Sequence, residues 1–400
     1  MAKGIPQFYG VRLAQVREAR GLSGVNLATM IDVSPASISQ YERDGVKPTT
    51  EVLDRLTSVL NVPKAFFLRP VACHPEAKFF YRSMSAATKS ARNRAESRFE
   101  WLREIAEYVE DYFDLPQVSL PELDIPEDFR NISESMIESY AEQCRRHWGL
   151  HAGPVPNVIR LLEKNGVVVS RIYLDTDTLD AFSENDSAGR PFVVLGAEKG
   201  VCVRSRFNAA HELAHIVLHK NVEQRCLLSA QDHKLMEQQA HHFAGAFHLP
   251  EEDFAKELIA ATLDSFAALK ERWKVSIAAM IIRCSQLGIT NESQTEKLWI
   301  NLGRRGWRKC EPLDTRLPAE QPTLLRQCFD MMLKSNFKTR SQIVDDLCLA
   351  STDIEELAGL PIGYLNDGFG EVISLQFKGN TPASSPPDSG RSGIIPFRPI

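Results

Sequence analysis

The hexapeptide Ala210-His211-Glu212-Leu213-Ala214-His215 constrains this chain more than any other segment. On a helix, positions i and i+4 share one face, so His211 and His215 can reach a single ion. The surrounding Phe207, Ala210, Leu213, Ala214, Val217 and Leu218 are apolar or small. That pattern predicts a buried helix over about 205–219. Glu212 follows the first histidine, where its carboxylate can take a proton from a water at the ion. Two imidazoles are too few for a catalytic zinc, which needs a third protein ligand and an open position. Glu237 supplies it on the next predicted helix, 235–247, where Glu237, Ala240, His241 and Ala244 share a face and the alanines allow close approach. His241 is expected to orient a ligating imidazole from behind; the alternative, His241 as the ligand in place of Glu237, stays open. His219 lies too far along its helix for the same ion and is expected, with His233, His242 and His248, to be a polar or packed side chain. Zinc is the expected ion, with manganese as the alternative.

The rest of the chain has to house this pair of helices. Its 400 residues imply two or three domains. Apolar content of 43% and charged content of 25% suit a globular chain, and a net charge of −5 argues against a protein coated by nucleic acid throughout. The sequence offers neither an 18-residue apolar run nor a secretory h-region, and its eight cysteines form no C-x-x-C pair. The expectation is a cytoplasmic chain with reduced thiols and no membrane partner.

Short helical patterns fill residues 1–70. Arg12–Arg20 stops at Gly21, Ser23 caps a helix through Met30, and Ile31-Asp32-Val33 makes a turn. Ser34 then caps a third helix through Glu42, with Pro35 at its favoured first position. Two helices joined by a three-residue turn behind a packing helix form a helix-turn-helix, with Leu13, Val16, Leu22, Leu27, Ala28, Val33, Ile38, Leu53, Leu56 and Leu60 as its core. Nine Lys/Arg against six Asp/Glu in 1–70 is modestly basic, so a protein-binding or dimerising module is the competing reading. Beyond it, 71–130 reads as a basic helix (89–113) and a linker punctuated by Pro116, Pro121 and Pro126. Seven basic residues from Lys78 to Arg103 could meet phosphates or form a solvated helix face. Helices are expected over 133–148 and 157–164, strands over 167–172 and 191–195, and helices again over 251–259, 265–273 and 276–287. Residues 291–379 form a mixed extension with helices near 322–335 and 340–347, and 380–400 a disordered tail rich in Pro, Ser and Gly. The fold class is thus multidomain and mainly α: an all-α helix-turn-helix domain (1–70), an α+β zincin-like domain (131–290) and the extension.

Two resemblances sharpen these expectations. R-x-A-R-G-L-S, L-A-x-x-I-D-V-S, S-x-I-S-Q-Y-E-R-D-G and K-P-T, within residues 9–68, resemble the Cro/cI-type (XRE) repressors. The resemblance implies that the helix after Ser34 enters the major groove of double-stranded DNA, with Ser34, Pro35, Ala36, Ser37, Gln40 and Arg43 as contacts and Gln40 able to pair bidentately with adenine. It also implies that Arg17 and Glu42 brace helix one against helix three; Gly24 departs from the glutamine usual at the start of helix two. Arg204–His215 and Glu237–Pro250 resemble the two motifs of the ImmA/IrrE metallopeptidases, as do Asp180-Ala181-Phe182-Ser183 and the Pro191 strand upstream. That likeness covers about 135–290; His241 and His248 stand where the family usually has Asn and an apolar residue. It implies a zinc endopeptidase that cleaves a repressor-like protein and so releases stress, mobile-element or defence genes, with a homodimer allowed. The competing readings are a transcription regulator whose peptidase-like domain serves as a sensor, and a toxin–antitoxin component.

Overall fold

The computed structural model describes residues 4–71, 88–174, 179–185, 189–198, 201–222 and 229–366. Three apolar cores organise them, and a small sheet separates the first two. Its strands are β1 (Val168–Ile172), β2 (Ala181–Asn185) and β3 (Pro191–Gly196), in the order β1-β3-β2. β3 pairs in parallel with β1 (Val169 opposite Val193) and antiparallel with β2 (Ser183 opposite Val193). Side chains alternate across a strand. Val168, Ile172, Phe182, Phe192 and Val194 therefore enter the first core, while Val169, Ala181, Val193 and Leu195 enter the second.

The first core belongs jointly to the N-terminal module and the C-terminal helices. Helices α1 (Gly10–Ala19), α2 (Gly24–Met30), α3 (Pro35–Glu42), α4 (Thr50–Leu60) and α5 (Lys64–Leu68) follow the expected order. Ser23 and Ser34 cap α2 and α3 as their sequence positions foretell, and Asp32 takes a left-handed φ of 53° in the turn between them. At Gly10 a side chain would collide with the Tyr41 carbonyl, so glycine lets α1 begin against the end of α3. All ten apolar side chains expected in the small core are buried or packed against it.

The helix expected over 89–113 forms as α6 (Lys89–Glu110). Two of its basic residues, Arg98 and Arg103, take neither of the roles foreseen for them, whereas Lys89 is exposed and Arg92 and Arg94 are half-buried. Phe99, Trp101 and Leu102 are fully buried between α1, the sheet and the C-terminal helices. Arg98 pairs with Glu356, and Arg103 meets Glu184 of β2 at 3.0 Å. A buried arginine is tolerable only when paired, and the partners lie 258 and 81 residues away. Lys78 and Arg82 lie outside the described residues. The proline-marked stretch 112–128 runs without regular structure, pinned by buried Leu115 and Leu123.

The second core is built on α7 (Glu134–His147), α8 (Val158–Lys164), α9 (Cys202–Leu218) and α10 (Ala230–His248). α11 (Glu251–Glu257), α12 (Leu263–Trp273), α13 (Ile277–Gln286) and α14 (Glu292–Arg304) enclose the third. α15 (Leu324–Lys334), α16 (Arg340–Leu347) and α17 (Ser351–Leu357) return to the first. There Arg20, just past the end of α1, grips Asp353 with two hydrogen bonds, 2.7 and 2.6 Å. The N-terminal module is thus built into the C-terminal helices rather than hung on a tether. The tail expected to be disordered, 380–400, lies outside the described residues.

Glu138 of α7 joins the second and third cores. It accepts from Arg283 of α13 (2.7 Å to Oε2) and lies 2.6 Å from His242 of α10. Burial alone would raise its carboxyl, but hydrogen bonds from Arg283 and His242 outweigh burial and hold it at about 2, below the ordinary 4.5. A depressed folded pKa contributes stability above the unfolded value that is lost as pH falls through the folded one. Wild type should therefore lose more stability than Glu138→Gln between about pH 4.5 and 2. Urea midpoints measured at stepped pH check this, and parallel curves would refute it.

Candidate metal centre

α9 and α10 pack side by side, as the small residues Ala210, Ala214, Ala240 and Ala244 allow; all four are buried. Their facing surfaces bring His211, His215 and Glu237 together. His211 Nε2 lies 3.0 Å from Glu237 Oε2, His215 Nε2 lies 3.1 Å from Oε1, and the two Nε2 atoms are 3.2 Å apart. Two donors about 2.0–2.1 Å from one zinc ion at a tetrahedral angle would be about 3.3 Å apart. The separation of the two imidazole nitrogens matches that edge length, each nitrogen has one Glu237 oxygen at a similar distance, and two imidazoles with a carboxylate are a donor set zinc accepts. These residues fit a divalent cation.

Glu212, one position after His211, is 4% exposed. Burial pushes its carboxyl up to about 7, against the pull of the Ser183 hydroxyl, which donates to Oε2 at 2.7 Å. Ser183 sits on β2, whose alternation aims residues 181 and 183 at α9 and residues 182 and 184 at α6.

His241 lies against the His211 ring, centroids 4.5 Å apart, and stacks on Phe207. Sequence reasoning gives His219 no place on the ion and leaves it, with His233, His242 and His248, a polar or packed side chain or a candidate to stabilise the oxyanion. The structure places His219 Nδ1 2.9 Å from His215 Nδ1 and its Nε2 3.0 Å from Gln239 Oε1. The signal in the sequence is the i+4 continuation of the histidine face, which overshoots the ion but reaches the back of His215. His242 goes to Glu138 and His248 to the Arg206 carbonyl, both packed polar side chains as expected.

On the N-terminal module, Ser34, Pro35, Ala36, Gln40 and Arg43 are exposed and Ser37 is half-buried, above the buried Ile38. The Ser34 and Ser37 hydroxyls share a hydrogen bond, and Ser34 Oγ accepts from the Ser37 amide. Arg17 holds both carboxylate oxygens of Glu42, at 2.5 and 3.2 Å, the brace that the repressor likeness implied.

Comparison with known proteins divides the chain along the same lines. Residues 13–67 match the helix-turn-helix family, and residues 162–285 match the IrrE N-terminal-like domain, a peptidase family. The HTH-type transcriptional regulator RamB of Mycobacterium tuberculosis (strain CDC 1551 / Oshkosh) is 40% identical over 60 residues, 15% of this chain and 13% of RamB. The HTH-type transcriptional regulator SutR of Escherichia coli (strain K12) is 35% identical over 68 residues, 17% of this chain and 38% of SutR. The chain therefore spans well under half the length of either relative. Among the described residues, no helix is long and apolar enough to cross a membrane. The chain joins an XRE-type helix-turn-helix module at 13–67 to an IrrE N-terminal-like, metallopeptidase-type domain at 162–285.

Proposed function

We propose that this is a cytoplasmic, DNA-associated zinc endopeptidase that cleaves a repressor-type protein and so releases the genes which that repressor silences. The observation that carries the reading is the mutual approach, within 3.2 Å, of His211 Nε2, His215 Nε2 and the Glu237 carboxylate, with Glu212 next in sequence on the same helix. In this reading His211, His215 and Glu237 hold the ion. Bound zinc lowers the pKa of water and polarises a carbonyl. Glu212 accepts the proton from water as it attacks the scissile peptide carbonyl, then delivers it to the leaving amine. Ser183 keeps one Glu212 oxygen occupied, which leaves the other to face the water.

The exposed residues of α3 are the DNA contacts in this reading, with Gln40 placed to pair bidentately with adenine. The module's rigid seating carries that preference to the whole chain. A second reading, a regulator whose peptidase-like domain senses rather than cleaves, draws on the two relatives that are named transcriptional regulators.

The test is to titrate the purified full chain with zinc and, separately, with manganese. The protein is then incubated with the repressor-type protein encoded beside its gene, and fragments are read by mass spectrometry. One zinc per chain and a discrete cut are expected. Failure to bind either ion would sink the enzymatic reading; binding without cleavage, together with protection of the chain's own promoter, would favour the regulator.

A further inference from the structure

We infer that His219 and Gln239 are positioning residues that lock His215 in the tautomer whose Nε2 offers a lone pair to the ion. For its metal half, the inference rests on the zinc reading above. The relay starts at a fixed end. The Gln239 side-chain amide donates from Nε2 to the Phe129 carbonyl at 2.9 Å and reaches the Ile132 carbonyl at 3.4 Å. Carbonyls only accept, so the Gln239 nitrogen must face them, and its Oε1 faces His219. Oε1 is itself only an acceptor and lies 3.0 Å from His219 Nε2, which must therefore carry the proton. In a neutral imidazole the other nitrogen is then an acceptor, so His219 Nδ1 receives its hydrogen bond from His215 Nδ1–H across 2.9 Å. Nothing in this chain can turn over locally. His219 is fully buried and Gln239 is 3% exposed. The Phe129 ring also holds the His219 ring edge-on at 6.2 Å.

The consequence falls on His215 Nε2, which then carries the lone pair rather than the proton. It faces the Glu237 carboxylate at 3.1 Å and His211 Nε2 at 3.2 Å. A lone pair held that close to a carboxylate oxygen is repulsive unless a cation lies between them, so the relay presets the site to accept one. The usual device behind a metal-bound histidine is a single carboxylate or carbonyl. Here the backbone of 129–132 plays that part through two intervening side chains. The His219 position, one helical turn beyond the second ligand, thus has a role without touching the ion.

The experiment uses the full chain labelled with nitrogen-15. In the metal-free wild type, long-range proton–nitrogen correlation of the imidazoles should show His219 protonated at Nε2 and His215 at Nδ1. An Nε2–H tautomer or an imidazolium at His215 would overturn the inference, whatever the protein does with zinc. A second arm compares wild type with His219→Phe, which keeps the ring packing, and Gln239→Met. Competition against a chelator should show zinc bound about 10–100-fold more weakly in each variant, and the visible bands of the cobalt-loaded protein should shift. Equal affinity and an identical cobalt spectrum in a variant that retains its native circular dichroism would also overturn the inference. If wild type itself binds no zinc, the enzymatic reading falls, while the tautomer measurement still decides the relay.

Discussion

Glu212→Gln is expected to abolish proteolysis, by about 10²–10⁴-fold, while leaving the fold and the bound zinc intact. The expected silence follows from the role proposed for the carboxylate. Glutamine presents the same shape and an oxygen that can still accept from the Ser183 hydroxyl, but it cannot take a proton from water. The expected survival of the fold follows from burial. In the metal-free protein the carboxyl is raised to about 7 from an ordinary 4.5. Its charged form therefore costs stability once pH exceeds 4.5, and a neutral amide removes that cost. Stripped of metal, the variant should accordingly unfold at the same or a higher urea concentration than metal-free wild type at pH 7. Cleavage of the neighbouring repressor, zinc content by elemental analysis and the unfolding curve together make the test. Cleavage within a few-fold of wild type would remove Glu212 from the chemistry.

The parts of this architecture visible in the sequence were those set by local periodicity. The H-E-x-x-H helix, the helix carrying Glu237, and the capped pair around Ile31-Asp32-Val33 each announce themselves within about twenty residues. The parts that stayed hidden depend on distant partners. β2 reads Ala-Phe-Ser-Glu-Asn, with no β-branched residue, and is a strand because β3 pairs with it. α14 opens with a capping box between Asn291 and Gln294, a local signal that sequence reading passed over in a region read only as mixed. The charges of α6 looked like surface charges, because their partners Glu184 and Glu356 arrive from a strand and a helix far along the chain. His219 lies beyond reach of the ion in the sequence pattern, and only the fold shows its Nδ1 2.9 Å from Nδ1 of His215.

Arg103→Met is expected to cost about 3–5 kcal/mol, the usual consequence of removing one member of a buried ion pair. Arg103 and Glu184 have side-chain exposures of 1% and 0%, and the guanidinium also lies over the Phe99 ring, 5.1 Å from its centroid. Methionine keeps the apolar stem against Phe99 but takes the positive charge away from a carboxylate that cannot reach water. The strain then falls on β2, where Glu184 faces α6 and the adjacent Ser183 faces Glu212. Because β2 is held to the rest of the sheet by β3 alone among the described strands, a shift there should reach Ser183 before it reaches β1. Loss of stability should therefore come with loss of proteolysis, even though Arg103 lies on the opposite face of the sheet from Glu212. Glu184→Gln in the Arg103→Met background should restore much of the stability, since the position then buries no carboxylate charge that has lost its guanidinium. Urea unfolding followed by tryptophan fluorescence, to which Trp101 in the first core contributes, and by circular dichroism would measure the cycle. A single variant within about 1 kcal/mol of wild type would mean the pair is solvated in solution and does not tie the DNA-reading half to the strand beside Glu212.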